Sequence, residues 1–135
     1  MNAKVKYIDN LQFSAVSDSN HSIIIDADKK LSLDQGTRPK ELLLMGLIGC
    51  TAMYVVSLLK KMRVEFKDFS VSAEAELSDK YPKVFTSIHI NYNISGNFDE
   101  EKFKKAINLS HNHYCEITAM LRKTVLITHS YQIKK

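Results

Sequence analysis

Alternating apolar and polar residues predict β-strands near the start, the middle and the end of the chain. Residues 4–25 hold three short runs of this kind, with a turn-forming cluster at 17–20. Residues 69–77 and 84–94 alternate over longer stretches on either side of a turn, which predicts a half-buried antiparallel hairpin. Residues 124–133 predict a last strand. The inward face of the second hairpin strand is predicted to hold Val84, Ile88, Ile90, Tyr92 and Ile94.

Three further segments predict helices. The first of these helices is predicted over residues 39–63, because Pro39 is favoured in the first turn of a helix and basic residues are favoured in the last turn. This helix is apolar on nearly every side, which indicates that it is buried. Residues 99–114 are amphipathic with Asp99 as N-cap, and residues 115–123 predict a shorter helix. The order βββ-α-ββ-αα-β is typical of the α+β class. With no linker or repeat, a single domain is predicted over residues 1–135.

Composition narrows the function classes. The chain is 44% hydrophobic and 25% charged, which is ordinary for a globular domain. Its net charge of +4 is modest, and its lysines are scattered among acidic residues, so we expect no nucleic-acid partner. The first ten residues lack the pattern of a signal peptide, so we expect a cytoplasmic protein whose two cysteines are free thiols.

The central apolar run also allows a membrane interpretation. Residues 42–59 contain no charged side chain, which just meets the length of a spanning helix. Glycine, cysteine, threonine, tyrosine and serine dilute its hydrophobicity, and amphipathic strands that need a core lie on both sides. A buried core helix, with no membrane partner, is the better interpretation.

Small residues surround the first cysteine on this helix. Gly46, Gly49, Cys50, Met53 and Ser57 fall on one stripe of an α-helix. Another backbone or a ligand could approach the Cys50 sulfur along that stripe. Spacing alone favours tight helix packing with Cys50 as a small apolar residue, and leaves a ligand site open.

The second cysteine opens a predicted helix. Exposed N–H groups and the helix dipole at such a position favour a thiolate, although Cys115 is equally compatible with a buried, inert thiol. His111, His113 and Cys115 also suggest a metal site. Residues two apart on a helix point about 200° apart, and no standard zinc motif is present, so we expect no metal.

The contexts of the two cysteines resemble a known family. A Pro-x-Glu-Leu-Leu start at Pro39, a Gly-Cys pair ending at Cys50, an amphipathic helix and a second cysteine at Cys115 resemble the osmotically inducible protein C and organic hydroperoxide resistance (OsmC/Ohr) family. The chain looks most like a short, diverged OsmC-like subgroup. The resemblance implies an intertwined homodimer, in which curved antiparallel sheets enclose the central helices and two thiol sites lie at the subunit interface.

The resemblance also implies a chemistry. Cys50 would be the peroxidatic cysteine, which attacks a small-molecule organic hydroperoxide and becomes a sulfenic acid. Cys115 would be the resolving cysteine, which closes a disulfide that a dithiol reductant reopens. Neither a metal nor a flavin cofactor is required.

Two departures from the family pattern concern charged residues. The family's active peroxidases use an arginine from the N-terminal strands, whereas this chain has none before Arg38. They place a glutamate directly after the proline, where this chain has Lys40 and then Glu41. Glu41 precedes Cys50 by nine residues, about 13 Å along a helix, so we expect it to reach a thiol only from a partner subunit or an irregular turn. Arg38 is a candidate replacement for the missing cation, or a solvated arginine.

Two functions therefore remain open. The first is a thiol-dependent peroxidase, and the alternative is a non-enzymatic module that binds a small apolar or electrophilic molecule on the same fold. In either case we expect an obligate dimer, because one sheet covers only one side of a helix that is apolar all round. Three exposed Leu- or Val-sized side chains would forfeit roughly 5–9 kcal/mol, about the whole stability of a domain.

Overall fold

The element order is the predicted one, with an added π-helical turn. The computed structural model describes residues 1–135. Its elements are β1 (Ala3–Asp9), β2 (Gln12–Ser17), β3 (Ile23–Ile25), α1 (Pro39–Lys61), β4 (Asp68–Leu77), β5 (Phe85–Ser95), α2 (Glu100–Leu109), the π-helical turn (Ser110–Tyr114), α3 (Glu116–Leu121) and β6 (Leu126–Lys134). They form two compact units, residues 1–44 and 45–135. The single domain over residues 1–135 therefore stays a prediction.

The first unit is built on an antiparallel sheet in the order β1-β2-β3. After β3 the chain folds back, and Thr37 N donates to Ile24 O at 3.1 Å while Asp26 N donates to Thr37 O at 3.0 Å. The buried Asp26 carboxylate accepts hydrogen bonds from Gln12 Nε2 at 3.1 Å and from Gln35 N at 3.0 Å. These bonds fix the loop that leads into α1.

The second unit contains a sheet in the order β4-β5-β6. The predicted hairpin is confirmed, because β4 and β5 pair antiparallel with Ala73 opposite Ile90. The prediction of antiparallel sheets throughout is wrong for β6, which runs parallel to β5 with His129 opposite Ile90. The helical segment 96–125 separates these two strands, and a crossover of that length returns the chain to the end of the sheet where β5 began.

The core of the second unit follows the predicted faces. Ile88, Ile90, Tyr92 and Ile94 are buried on β5, whereas Val84 lies before the strand and is 52% exposed. The predicted amphipathic helix α2 is also confirmed, because Phe103, Ala106 and Ile107 are buried on one side, and Asp99 is the N-cap and accepts a hydrogen bond from Glu101 N. Because these elements carry the expected spacing, the α+β class is confirmed.

Helix α1 is less covered than its composition predicts. Within one chain it is buried only along a stripe that contains Leu47, Thr51, Val55 and Leu59. Met53, on another face, is 76% exposed. The most apolar window of α1 has a mean hydropathy of 2.2, and 22% of that window is buried. By length and composition α1 could cross a membrane, but core helices of soluble proteins pass the same test. Burial on nearly every side is therefore wrong for a single chain, and an apolar face remains uncovered.

Candidate thiol site

The stripe of small residues forms the wall of an open groove in the second unit. The groove has a volume of about 670 Å³. Near Gly46 it is closed by α3, because a Cβ added there would lie 3.7 Å from Ile117 Cδ1, whereas no atom lies within 4 Å of one added at Gly49. The stripe is thus partly packed and partly open to a ligand. The lining residues are Met45, Gly46, Gly49, Cys50, Met53, Tyr54, Ser57, Glu116 and Ile117.

The Cys50 thiol in this groove faces a carboxylate. Its Sγ donates to Glu116 Oε2 at a distance of 3.5 Å. The other carboxylate oxygen, Oε1, accepts a hydrogen bond from the Tyr54 hydroxyl at 2.6 Å. The Tyr54 ring in turn stacks on Tyr114, with ring centroids 5.7 Å apart. The carboxylate of Glu116 is therefore held in place beside the sulfur.

These surroundings disfavour a Cys50 thiolate. Burial raises the pKa of Cys50 to about 11, and the thiol of Cys115 and the carboxylate of Glu116 act in the same direction, while the backbone N–H of Ile117 opposes them. The hydrogen bond to Glu116 raises the pKa of Tyr54 to about 12 and lowers the pKa of Glu116. At neutral pH Glu116 is charged and Cys50 is a neutral thiol.

Cys115 lies beside Cys50 at the start of α3. It is the N-cap residue, as predicted, and its Sγ accepts a hydrogen bond from Thr118 N at 3.4 Å. Cys115 is 2% exposed, and its thiol lies close enough to Cys50 to raise the pKa of the Cys50 thiol. Both cysteines are free thiols. The fold thus brings together two thiols that are far apart in the sequence.

The two charged residues singled out from the sequence lie in the first unit. The Arg38 guanidinium contacts Asp34 Oδ1 at 2.6 Å and donates to Gly36 O at 2.8 Å. Its bond to Asp34 raises the pKa of Arg38. Glu41 accepts a hydrogen bond from Thr37 Oγ1 at 3.0 Å. Arg38 is therefore already paired with a carboxylate, and the roles of both residues at a thiol stay predictions.

Two residues of the site were missed in the sequence. Tyr54 follows Cys50 by four positions and so shares its helix face, which was a usable signal. Glu116 follows Cys115 directly in the sequence. Its place in the site can be recognised only once the two thiols are known to lie together. The site thus pairs Cys50 with a carboxylate that no local spacing indicates.

A buried polar network lies behind the thiols. Thr51 Oγ1 lies 2.6 Å from the Tyr92 hydroxyl and 2.8 Å from Ser110 Oγ. The Tyr92 hydroxyl also contacts His111 Nε2 at 2.7 Å, and the His111 ring stacks on His129 with centroids 4.5 Å apart. Burial lowers the pKa of His111 to about 4, and His129 adds to the effect. No group of three or more His, Cys, Asp or Glu side chains is placed to hold a metal ion.

Sequence comparison identifies the family. The family model of OsmC-like proteins matches residues 32–130 of this chain. The chain belongs to the OsmC-like family. Protein YhfA of Escherichia coli K12 is 36% identical over 134 residues, which cover 98% of each chain. The resemblance seen in the two cysteine contexts is thereby confirmed.

Solved structures share the fold of this OsmC-like chain. A hypothetical protein from Aquifex aeolicus VF5 is 26% identical, with 98% of this chain and 95% of that chain covered and a TM-score of 0.88. The organic hydroperoxide resistance protein OhrB of Bacillus subtilis is 18% identical, with 98% of each chain covered and a TM-score of 0.68. At that identity the second likeness concerns the fold alone.

Proposed function

We propose that this OsmC-like chain is a thiol-dependent redox protein that reduces organic hydroperoxides, with Cys50 as the peroxidatic and Cys115 as the resolving cysteine. The observation that carries the proposal is the pair of neighbouring thiols, of which Cys50 opens into an apolar groove. The name of the OhrB neighbour supports the substrate class. The apolar lining favours organic peroxides over hydrogen peroxide.

The reaction needs only the two sulfurs and a dithiol. After Cys50 loses its proton, Sγ attacks one peroxide oxygen and the O–O bond breaks, so sulfur becomes a sulfenic acid and the other oxygen leaves as an alkoxide that takes a proton. Cys115 Sγ then attacks the Cys50 sulfur, water leaves and a disulfide forms. An external dithiol restores both thiols by exchange. The backbone N–H of Ile117 favours the thiolate, because its hydrogen bond to Cys50 lowers the pKa of that thiol.

The functional unit we propose is a homodimer in the cytoplasm. The support for a dimer is the uncovered apolar face of α1, where Met53 is largely exposed. A second copy closes such a face by two-fold symmetry. In this dimer Arg38 or Glu41 of one subunit acts at the thiol of the other, which is where the missing cation and carboxylate of the family would come from.

Thiol counting with a defined peroxide tests the enzymatic function. Reduced protein titrated with cumene hydroperoxide should lose both thiols, and Cys50→Ser should abolish peroxide consumption. Cys115→Ser is the matched control, because it should still consume one equivalent and leave a sulfenic acid that dimedone traps. Equal, slow consumption by the wild type and Cys50→Ser would contradict the proposal.

The second candidate is a binding module on the same fold. The raised pKa of Cys50, to about 11, favours it, because a neutral thiol is a weak nucleophile. Slow peroxide turnover, together with a co-purifying ligand that shields Cys50 from alkylation, would support this alternative.

A further inference from the structure

A buried hydroxyl without a hydrogen-bond partner lies close to the second thiol. Thr118 is 1% exposed, and its Oγ1 forms no hydrogen bond with the protein. Every other fully buried side-chain nitrogen or oxygen of the chain has a partner. An unpaired buried hydroxyl lowers stability, so native proteins contain few of them. The chain therefore keeps this hydroxyl at the expense of stability.

The usual partner of a hydroxyl at this position is already bonded elsewhere. Cys115 is the N-cap of α3, and Thr118 N donates to its Sγ at 3.4 Å. In a capping box, the side chain three residues after the N-cap binds the backbone N–H of the N-cap residue. Here the N–H of Cys115 donates instead to Ser110 O at 2.8 Å, within the π-helical turn. The Thr118 hydroxyl is thus left near the Cys115 sulfur with its proton not donated to any protein group.

We propose that the Thr118 hydroxyl is a catalytic group of the resolving step, in which it donates a hydrogen bond to the Cys115 sulfur as that sulfur loses its proton. This inference rests on the proposed pairing of the two thiols, and it does not depend on which oxidant acts on Cys50.

The hydrogen bond becomes favourable when the sulfur ionises. A neutral thiol is a weak acceptor, whereas hydrogen bonds to charged acceptors are roughly twice as strong as neutral ones. Only Cα and Cβ separate Oγ1 from Thr118 N, which already contacts Cys115 Sγ, so rotation about one side-chain bond redirects the hydroxyl. The thiolate is the form that attacks. The hydroxyl therefore stabilises the reactive state and leaves the resting thiol unaided.

A second subunit does not alter this arrangement. Thr118 is already 1% exposed and Cys115 2% exposed within one chain. A copy that docks on the uncovered face of α1 meets neither side chain, because both are covered by their own subunit. The hydroxyl and the N–H of Thr118 thus remain donors from the same chain as the Cys115 sulfur.

The resolving step is the same for any leaving group on Cys50. Cys115 Sγ gives up its proton and attacks the Cys50 sulfur, the bond from that sulfur to its leaving group breaks, and a disulfide forms. From a sulfenic acid, hydroxide leaves and takes a proton to become water. From a mixed disulfide, a thiolate leaves. Only the sulfenic acid requires a peroxide, so a mixed disulfide tests Thr118 independently of the substrate.

Dithiodipyridine measures both steps without a peroxide. When one equivalent is added, the Cys50 thiolate attacks a sulfur of this neutral reagent and one coloured thiopyridone leaves. Cys115 then attacks the mixed disulfide, and a second thiopyridone leaves as the protein disulfide closes. Cys115→Ser should show the first release only, and α3 should still form because serine is a favoured N-cap. The test variants are Thr118→Val, which lacks the hydroxyl, and Thr118→Ser, which keeps it.

We expect Thr118→Val to slow the second release about three- to tenfold and to leave the first release unchanged. A hydrogen bond to a charged group contributes a factor of roughly 10–100. A less stabilised thiolate is scarcer but more nucleophilic, which restores about half of that effect on a logarithmic scale. Thr118→Ser should resolve at the wild-type rate. A second release that is as fast in Thr118→Val as in the wild type, or that is slowed only in Thr118→Ser, would overturn the proposal.

Stability distinguishes this role from a purely structural one. Thr118→Val removes an unpaired buried hydroxyl, so in urea the reduced variant should be at least as stable as the wild type. Thr118→Ser loses a buried methyl group and should be less stable. The valine variant is thus expected to be the most stable of the three proteins and the slowest to resolve. A valine variant clearly less stable than the wild type would assign the hydroxyl to the fold and overturn the proposal.

Cumene hydroperoxide separates this inference from the proposed function. If no peroxide is consumed while the second release still depends on the Thr118 hydroxyl, the peroxidase function fails and the role of Thr118 stands. If peroxide is consumed, and Thr118→Val closes its disulfide as fast as the wild type with no additional sulfenic acid trapped by dimedone, the peroxidase function stands and the role of Thr118 fails.

Discussion

Burial and the side chains of Cys115 and Glu116 disfavour ionisation of Cys50. Of these side chains, Glu116 is the one whose charge a substitution of nearly the same shape can remove. Glu116→Gln removes a negative charge 3.5 Å from Sγ, so the thiol pKa should fall. We expect alkylation by neutral iodoacetamide at pH 8 to become roughly two- to fivefold faster, because the thiolate fraction rises with a falling pKa. The measurement is the pH dependence of alkylation in Cys115→Ser protein, and an unmoved midpoint would contradict it.

His111 makes a second residue-level prediction, on acid stability. Its pKa is lowered from an ordinary 6.5 to about 4 by burial, so below pH 6.5 the unfolded chain binds a proton that the folded chain does not. Stability is therefore fully present above pH 6.5 and is lost as the pH falls towards 4. Between pH 7 and pH 5 the loss should be about 2 kcal/mol.

Urea unfolding at the two pH values measures that loss. The lowered pKa of His129, also caused by burial, adds to it in the same direction. His111→Asn should flatten the pH dependence, whereas His113→Gln, at an exposed position, should leave it as in the wild type. An equal slope in His111→Asn would assign the effect to another group.

At the scale of elements, two glycines should respond oppositely to alanine. A Cβ at Gly36 would lie 2.5 Å from Ile24 O, where the loop that follows β3 closes on that strand, so Gly36→Ala should cost roughly 1–3 kcal/mol. Gly49→Ala meets no atom within 4 Å and should stabilise α1 by about 0.5–1 kcal/mol. Denaturant midpoints of both variants, compared with the wild type, test this. Equal destabilisation by both would contradict the steric argument.

Elements were predictable where periodicity carries the information. The alternation in β4 and β5 and the apolar face of α2 define both element type and inward residues. Strand direction is a different matter, because an alternating segment such as β6 has the same pattern whether its neighbour runs parallel or antiparallel. The π-helical turn was missed for a similar reason, since one residue more per turn is invisible in a five-residue segment.

The site was predictable only in part. The small-residue stripe on α1 indicated the groove, because its members share a helix face. The pairing of Cys50 with Cys115 came from the family resemblance, since sequence spacing alone says nothing about contacts across 65 positions. Glu116 was missed because its contact with Cys50 depends on where α3 packs, which is a tertiary property.

For the whole molecule, the uncovered side of α1 predicts dimerisation. Met53 is 76% exposed in one chain, so Met53→Asp acts on the interface rather than on the core of the subunit, and it places two charges in a two-fold interface. We expect dilute reduced wild-type protein to sediment with the mass of two chains. Met53→Asp should sediment as one chain, and the dimer's Kd should rise by at least about a hundredfold, given roughly 1.5–3 kcal/mol for each buried methionine.

Met53→Leu is the matched control and should stay dimeric. Circular dichroism of both variants reports their fold, which Met53→Leu should keep and the separated Met53→Asp subunit should largely lose. A compact wild-type species of one chain mass, folded at the same dilution, would refute the dimer and with it any role for Arg38 or Glu41 of a second subunit.

The π-helical turn at Ser110–Tyr114 determines how Cys115 and α3, which follow it, are oriented. Cys115 N donates to Ser110 O, five residues back, so the segment contains one residue more than an α-helical turn with the same ends. Deleting one residue, such as the exposed Asn112, would turn this bond into the ordinary α-helical one between the same two groups, so the later residues should keep their orientation. The thiol of Cys115 would then still face Cys50. This segment should therefore accept substitutions at its exposed positions and also the loss of one residue.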